Sequence, residues 1–176
     1  MTHTVVLSGN PRTGSRTLKL ATAVGSAISA EPPLVIDVAD LGPGLLTPGD
    51  PATAPGDPAT APGDPATAPG DPATAAAVAA VREAKLLVVA TPTDKGSYTG
   101  VLKVLLDQLP AGGLGGVTAV PVVTAGVQPQ ADGAEGFLRH LLTELGATVA
   151  PALTATEPEL GDIDGLAVRY AGTARR

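Results

Sequence analysis

The chain contains no cysteine, which excludes disulfides, thiolate nucleophiles and Cys-ligated metal sites. Tryptophan is absent too, and Tyr98, Phe137 and Tyr170 are the whole aromatic complement. The core is therefore expected to be aliphatic. His3 and His140 stand far apart without acidic or thiol partners at ligand spacing, so no metal is expected. No apolar run approaches the roughly 18 residues that a bilayer-spanning helix needs. The N-terminus runs directly into a strand-like stretch, His3–Ser8, without a charged segment followed by a long apolar one. A soluble cytoplasmic protein with no membrane partner is the expectation. Basic residues are outnumbered, giving a formal net charge of −6, which disfavours nucleic acid as a partner because phosphate backbones are held by clustered Lys and Arg. The G-x-S-x-G pattern of nucleophile-elbow hydrolases does not occur.

What the chain does have is short apolar runs alternating with longer amphipathic ones, the signature of βαβ units and a parallel sheet. Its 176 residues fit one domain spanning 1–176. Strands are predicted at Thr4–Ser8, Leu34–Val38, Leu86–Ala90 and Val117–Thr124, with a weaker fifth near Ala147–Thr154. Their nearly continuous apolar character fits strands covered on both faces. Helices are predicted at Arg16–Ile28, with Leu18, Ala21, Gly25 and Ile28 on one stripe, and at Pro72–Ala84, with Asp71 as N-cap and Pro72 in the first turn. A third, Thr99–Leu109, puts Val101, Leu102, Leu105, Leu106 and Leu109 on one wide face. A fourth covers Ala134–Leu145 and stops at Gly146, and a short last one runs from Asp164 to Thr173.

Residues 48–75 stand outside this scheme: they are four tandem copies of Pro-Gly-Asp-Pro-Ala-Thr-Ala. Two prolines per copy forbid a continuous helix, and no large apolar side chain is present to bury. The segment reads as an expanded loop between the second strand and second helix, mobile or partly extended, whose last copy starts a helix. A Pro-rich docking arm is the functional alternative.

Three segments carry the chemistry. The first is Ser8-Gly9-Asn10-Pro11-Arg12-Thr13-Gly14-Ser15-Arg16-Thr17, after the first strand and opening the first helix. There a parallel α/β sheet presents backbone N–H groups and a positive helix end to an anion. Ser8, Ser15 and Thr17 add hydroxyls, and Arg12 adds a permanent charge suited to phosphate. Ser15-Arg16 stands where a Walker A loop needs Lys-Ser or Lys-Thr, and the glycines are not spaced as G-x-G-x-x-G. A phosphate loop of another kind is expected. The second segment, Ala90 to Gly100, contains Pro92, Thr93, Asp94, Lys95, Gly96, Ser97 and Tyr98. In a sheet ordered 2-1-3-4-5 it faces the first segment across the topological switch point. The third, Thr124-Ala125-Gly126, ends the fourth strand on the same rim. Gly112-Gly113-Leu114-Gly115-Gly116 precedes a strand instead of following one and is read as a loop.

Ser8-Gly9-Asn10-Pro11-Arg12 with Ser15-Arg16-Thr17, then Ala90-Thr91-Pro92 with Lys95-Gly96-Ser97-Tyr98-Thr99-Gly100-Val101-Leu102-Lys103, then Leu106-Asp107-Gln108-Leu109-Pro110, resembles the NADPH-dependent FMN reductase family. Within it the chain is most similar to reductases that supply reduced flavin to alkanesulfonate monooxygenases. The resemblance implies a flavodoxin-like three-layer sandwich around a five-stranded parallel sheet of order 2-1-3-4-5. It implies FMN and NADPH (or NADH) as cofactors, with Ser8, Asn10, Arg12, Ser15, Arg16 and Thr17 around the phosphate. Pro92, Thr93, Asp94, Lys95, Gly96, Ser97 and Tyr98 border the flavin ring, with Thr124 and Gly126 on its other side. It further implies a homodimer or homotetramer formed through the Thr99–Leu109 helix, and a flavin-dependent monooxygenase as partner. Hydride transfer between stacked rings requires no side chain as acid or base, so no catalytic residue is assigned. Thr93 and Asp94 stand where family sequences usually carry an aliphatic residue and a tyrosine, which removes a stacking surface and adds a negative charge. The alternative readings are a reductase that keeps FMN bound and acts on quinones or azo dyes, and a non-catalytic flavodoxin-like interaction protein.

Overall fold

The computed structural model describes residues 4–47 and 70–174. The first three repeat copies, expected to be a loop, lie outside the described residues.

Five parallel strand positions form one sheet of order β2-β1-β3-β4-β5. In chain order the elements are β1 (Thr4–Ser8), α1 (Arg16–Ile28), β2 (Leu34–Asp37), α2 (Val38–Leu41), a 3-10 turn (Gly42–Leu46), α3 (Pro72–Glu83), β3 (Leu86–Pro92), α4 (Gly100–Leu106), β4 (Thr118–Ala125), α5 (Gln128–Glu144), β5 (Thr148–Val149), β6 (Leu153–Thr156), a second 3-10 turn (Glu159–Asp162) and α6 (Ile163–Ala174). β1 is paired on both sides, with Ser8 opposite Asp37 of β2 and Ala90 of β3. Alternation along the strands splits the core in two. Val5, Leu7, Leu87, Val89, Ala119 and Val123 pack against α3, α4 and α5. Val6, Val88, Ala90, Val120 and Val122 pack against α1 and α6. Both cores are aliphatic, as the composition requires; Tyr170 is the one aromatic buried among the described residues. This is the flavodoxin-like three-layer arrangement.

The differences from expectation have local causes. On α1 the buried stripe is Thr17, Leu20, Ala21, Val24 and Gly25, while Leu18 and Ile28 are half-buried at its margins. α4 ends at Leu106 as the chain tightens there, the N–H groups of Gln108 and Leu109 bonding to the carbonyls of Leu105 and Leu106, three residues back instead of four. α5 begins at Gln128, six residues ahead of Ala134, because Pro129 sits in its first turn, where a missing N–H costs nothing. The weak fifth strand is two pieces, β5 and β6, each paired with β4 and separated by Ala150-Pro151-Ala152. At that break Arg139 donates to the carbonyls of Val149 and Ala150, and the Tyr170 hydroxyl donates to the carbonyl of Pro151 at 2.6 Å. Asp71 caps α3 by accepting from the N–H of Thr74 at 2.8 Å, and Gly146 takes φ +93° where α5 stops.

Candidate functional site

The carboxyl ends of β1, β3 and β4 place all three expected segments on one rim, at the point where strand order reverses. After Ser8 the chain turns through Gly9–Ser15 into α1. Asn10 folds this turn on itself: its Oδ1 accepts from the N–H of Arg12 at 2.9 Å, and its Nδ2 donates to Thr17 Oγ1 at 3.3 Å. Gly14 takes φ +62° and its N–H reaches the Asp37 carboxyl at 3.4 Å. Ser15 caps α1 by accepting from Leu18 N–H at 3.1 Å. The N–H groups of Thr13, Ser15, Arg16 and Thr17 are left without an acceptor among the described residues. Beside them the Ser8 hydroxyl is fully buried and unpartnered. A set of unpaired donors at a helix N-terminus is suited to an anion. The buried, unsatisfied hydroxyl is the kind of group that a bound acceptor would complete.

The second segment is held to the first by buried hydroxyls. Thr99 caps α4, accepting from Leu102 N–H at 3.3 Å and donating to the Gly9 carbonyl at 2.5 Å. Thr91 Oγ1 accepts from Thr99 N–H at 3.1 Å and donates to the Pro92 carbonyl at 2.8 Å. Asp94–Ser97 closes a tight hairpin with reciprocal bonds of 2.9 and 3.0 Å, and both central residues have positive φ, Lys95 +48° and Gly96 +86°. The Lys95 side chain is 90% exposed, and its ammonium lies 3.9 Å from Asp94. The third segment joins through Thr124: its carbonyl accepts from Thr93 N–H at 2.9 Å, and its hydroxyl lies 2.8 Å from that of Thr17.

Between the first two segments lies a cleft of about 650 Å³ lined by Asn10, Pro11, Arg12, Pro92, Thr93, Asp94, Thr99, Gly100, Val101 and Val104. A smaller depression at the other end of the sheet, beside Thr4 and Leu86, gathers no comparable set of donors. Of the expected site residues, Asn10, Arg12, Pro92, Thr93 and Asp94 line the cleft. Ser8, Ser15 and Thr17 lie at or beneath the α1 N-terminus. Arg16 is turned to Glu157, with which it pairs. Lys95, Gly96 and Ser97 form the hairpin at the rim, Tyr98 is half-buried against the α4-side core, and Gly126 is exposed at the β4 exit. The sequence assigned the apolar residues of this helix to the core and to pairing between copies; the structure adds that Val101 and Val104 also line the cleft, a role that no feature of the sequence marked.

Burial raises the pKa of Asp37, against the lowering effect of its bonds from Ala39 and Gly14; the Asp40 charge adds to the rise.

Residues 2–159 match the NADPH-dependent FMN reductase family. The chain belongs to that family. Among FMN reductase relatives, the NADH-dependent FMN reductase SfnF of Pseudomonas fluorescens (strain Pf0-1) is 30% identical over 159 residues, covering 90% of this chain and 78% of that protein. The FMN reductase (NADPH) of Escherichia coli (strain K12) is 37% identical over 67 residues, which is 38% of this chain and only 35% of the relative. The solved NADH:FMN oxidoreductase EmoB, in its apo form, superposes with a TM-score of 0.72 at 27% identity, covering 99% of this chain and 90% of that one. As an FMN reductase family member the chain is an oxidoreductase by class, with FMN and a nicotinamide nucleotide as its small molecules. No helix among the described residues is long and apolar enough to cross a membrane.

Proposed function

We propose that this protein oxidises NADPH or NADH and reduces FMN in the cleft between the β1 and β3 exits, with the flavin exchanging as a substrate. The observation that carries the reading is the set of unpaired N–H groups at the α1 N-terminus together with the buried, unpartnered Ser8 hydroxyl. These donors fit a phosphate monoester, and Arg12, exposed at the cleft edge, supplies a counter-charge. Ser15 retains a hydroxyl proton to donate while its oxygen caps α1.

Pro92, Thr93 and Asp94 form one wall beside the space for a flat ring system, and the Asp94–Ser97 hairpin forms its lip. When bound, FMN supplies the hydride-accepting ring, and the chain's task is to hold it against the nicotinamide. No aromatic side chain lines the cleft among the described residues, so ring stacking on the protein contributes nothing to flavin retention. That favours exchange over permanent binding. Delivery of reduced flavin to a monooxygenase goes with this reading, as do a single domain over 1–176 and a cytoplasmic location where nicotinamide nucleotides are held. Val101 and Val104, half-exposed on α4, suit the expected pairing of copies through that helix.

The test is NADPH and NADH consumption by purified protein with and without added FMN. Turnover that rises and saturates with FMN supports the proposal. Turnover without added flavin, by a yellow protein, replaces it with a tightly bound FMN enzyme acting on another acceptor. No turnover and no FMN binding would refute both and leave a non-catalytic scaffold.

A further inference from the structure

We infer that Thr99 is a positioning residue for the flavin phosphate, acting through the peptide that joins Gly9 to Asn10; the inference rests on the FMN-binding reading above. Thr99 is nearly buried, at 4% exposure, and each of its polar groups is committed. Its N–H donates to Thr91 Oγ1, and its hydroxyl oxygen accepts from Leu102 N–H. The hydroxyl has a single proton. The Gly9 carbonyl, 2.5 Å away, can only accept, so that proton points at it.

A trans peptide carries its C=O and the following N–H on opposite sides. Turning the Gly9 carbonyl toward α4 therefore turns the Asn10 N–H away from it. That N–H has no acceptor among the described residues, and Asn10 lines the cleft. The Asn10 side chain is turned into the loop, bonding to Arg12 N–H and Thr17 Oγ1, so the backbone N–H is the unpaired main-chain donor that this residue presents. Gly9 is what lets α4 come close enough: a Cβ there would lie 2.5 Å from Leu102 Cβ. Its own N–H is fixed by the Ala90 carbonyl at 2.8 Å, so the plane of the next peptide is set chiefly by the Thr99 hydroxyl. The first donor of the phosphate loop is thus aimed from beneath by a residue of the neighbouring crossover.

Thr99 also caps α4, and capping alone would predict lost stability with no change in what the loop recognises. Riboflavin, which lacks the phosphate, separates the two roles. The experiment measures FMN and riboflavin dissociation constants by flavin fluorescence quenching for the wild type, Thr99→Val, Thr99→Ser and Asp71→Ala. Asp71→Ala removes the α3 cap, remote from the cleft, and controls for lost stability. The expected result is that Thr99→Val lowers the preference for FMN over riboflavin about tenfold, the worth of one hydrogen bond to a charged group. Thr99→Ser restores it, and Asp71→Ala leaves it at the wild-type ratio. If Thr99→Val does not fold, Thr99→Ala replaces it, since it too removes the hydroxyl proton and adds no charge beside the phosphate. An unchanged ratio in the Val or Ala variant overturns the role of Thr99 while leaving the FMN reading standing. A wild type that binds neither flavin overturns both.

Discussion

The backbone N–H of Asp71 donates to the carbonyl of Thr47 at 3.0 Å, so the residue before the first repeat copy and the helix cap within the last are joined by one hydrogen bond. Asp71 also packs so closely on Gly44 that a Cβ there would lie 2.4 Å from its carboxyl carbon. Removing residues 48–68, three whole copies, leaves the sequence Thr47-Pro69-Gly70-Asp71. Proline second and glycine third is the composition of a type II β-turn, whose closing bond runs from the fourth N–H to the first carbonyl. That bond is the one already present. The shortened chain is expected to keep the fold and to gain stability, by at most about 1–2 kcal/mol, because closure entropy grows only logarithmically with loop length. Urea denaturation checks this; a clear loss of stability would mean that the removed copies make contacts the fold needs.

Ser8→Ala is expected to leave the free protein as stable as the wild type or slightly more so. The hydroxyl that it removes is buried without a partner, and such a group costs about 1–3 kcal/mol. The same change weakens FMN binding if the phosphate completes that hydroxyl. Melting temperature with and without FMN measures both effects: a rise for the free variant with a smaller FMN-induced shift is the predicted pattern.

Asp94→Tyr restores the residue type usual in the family at an exposed position on the cleft wall. An aromatic contact with the flavin ring contributes about 0.5–1.5 kcal/mol, so FMN affinity is expected to rise by roughly two- to tenfold. Fluorescence titration reads this directly. No gain would place the flavin ring elsewhere than against this wall.

Thr17 and Thr124, both buried, share a hydrogen bond of 2.8 Å between hydroxyls on α1 and β4. Either valine substitution leaves the other hydroxyl with less than its due and costs about 1–2 kcal/mol. The double substitution costs less than the two added together, and a double-mutant cycle in urea gives the coupling. Strict additivity would show that the pair does not act as a unit.

Asp37 gives the molecule a pH signature. Its carboxyl binds its proton more tightly in the folded chain than the usual value of 3.8, because burial outweighs the bonds from Ala39 and Gly14. Folding therefore takes up a proton at this site just above pH 3.8. The stability contributed by the neutral acid is lost as pH rises through the folded value. Asp37→Asn does not titrate, so its stability relative to the wild type is expected to climb across that interval and then level off. Urea midpoints from about pH 3.5 to about pH 7 test the slope; a flat difference would exclude the shift.

The fold was legible where local chemistry and burial agree. The helix starting at Arg16 and the Asp71 cap before Pro72 are expectations that the structure reproduces, and strands covered on both faces read as unbroken apolar runs. The start of α5 was hidden because Gln128-Pro129-Gln130-Ala131-Asp132-Gly133 has the composition of a loop; Pro129 in the first turn and the burial of Ala131 in the core fit it to a helix. The two polar segments of the cleft could be found because each follows a strand. Its α4 wall could not, since a valine facing a ligand and a valine facing a core are the same letter. The hydroxyl chain from Pro92 through Thr91 and Thr99 to Gly9 joins residues about ninety positions apart, a separation that no window along the sequence spans.

The break between β5 and β6 has a consequence for how the molecule meets others of its kind. A sheet margin with open carbonyls invites a foreign strand to dock and grow into an aggregate. Here three consecutive carbonyls, those of Val149, Ala150 and Pro151, already hold side-chain donors from Arg139 and Tyr170. Pro151 itself has no N–H to offer. At this break the margin of the sheet is closed to strand addition by side chains of its own helices.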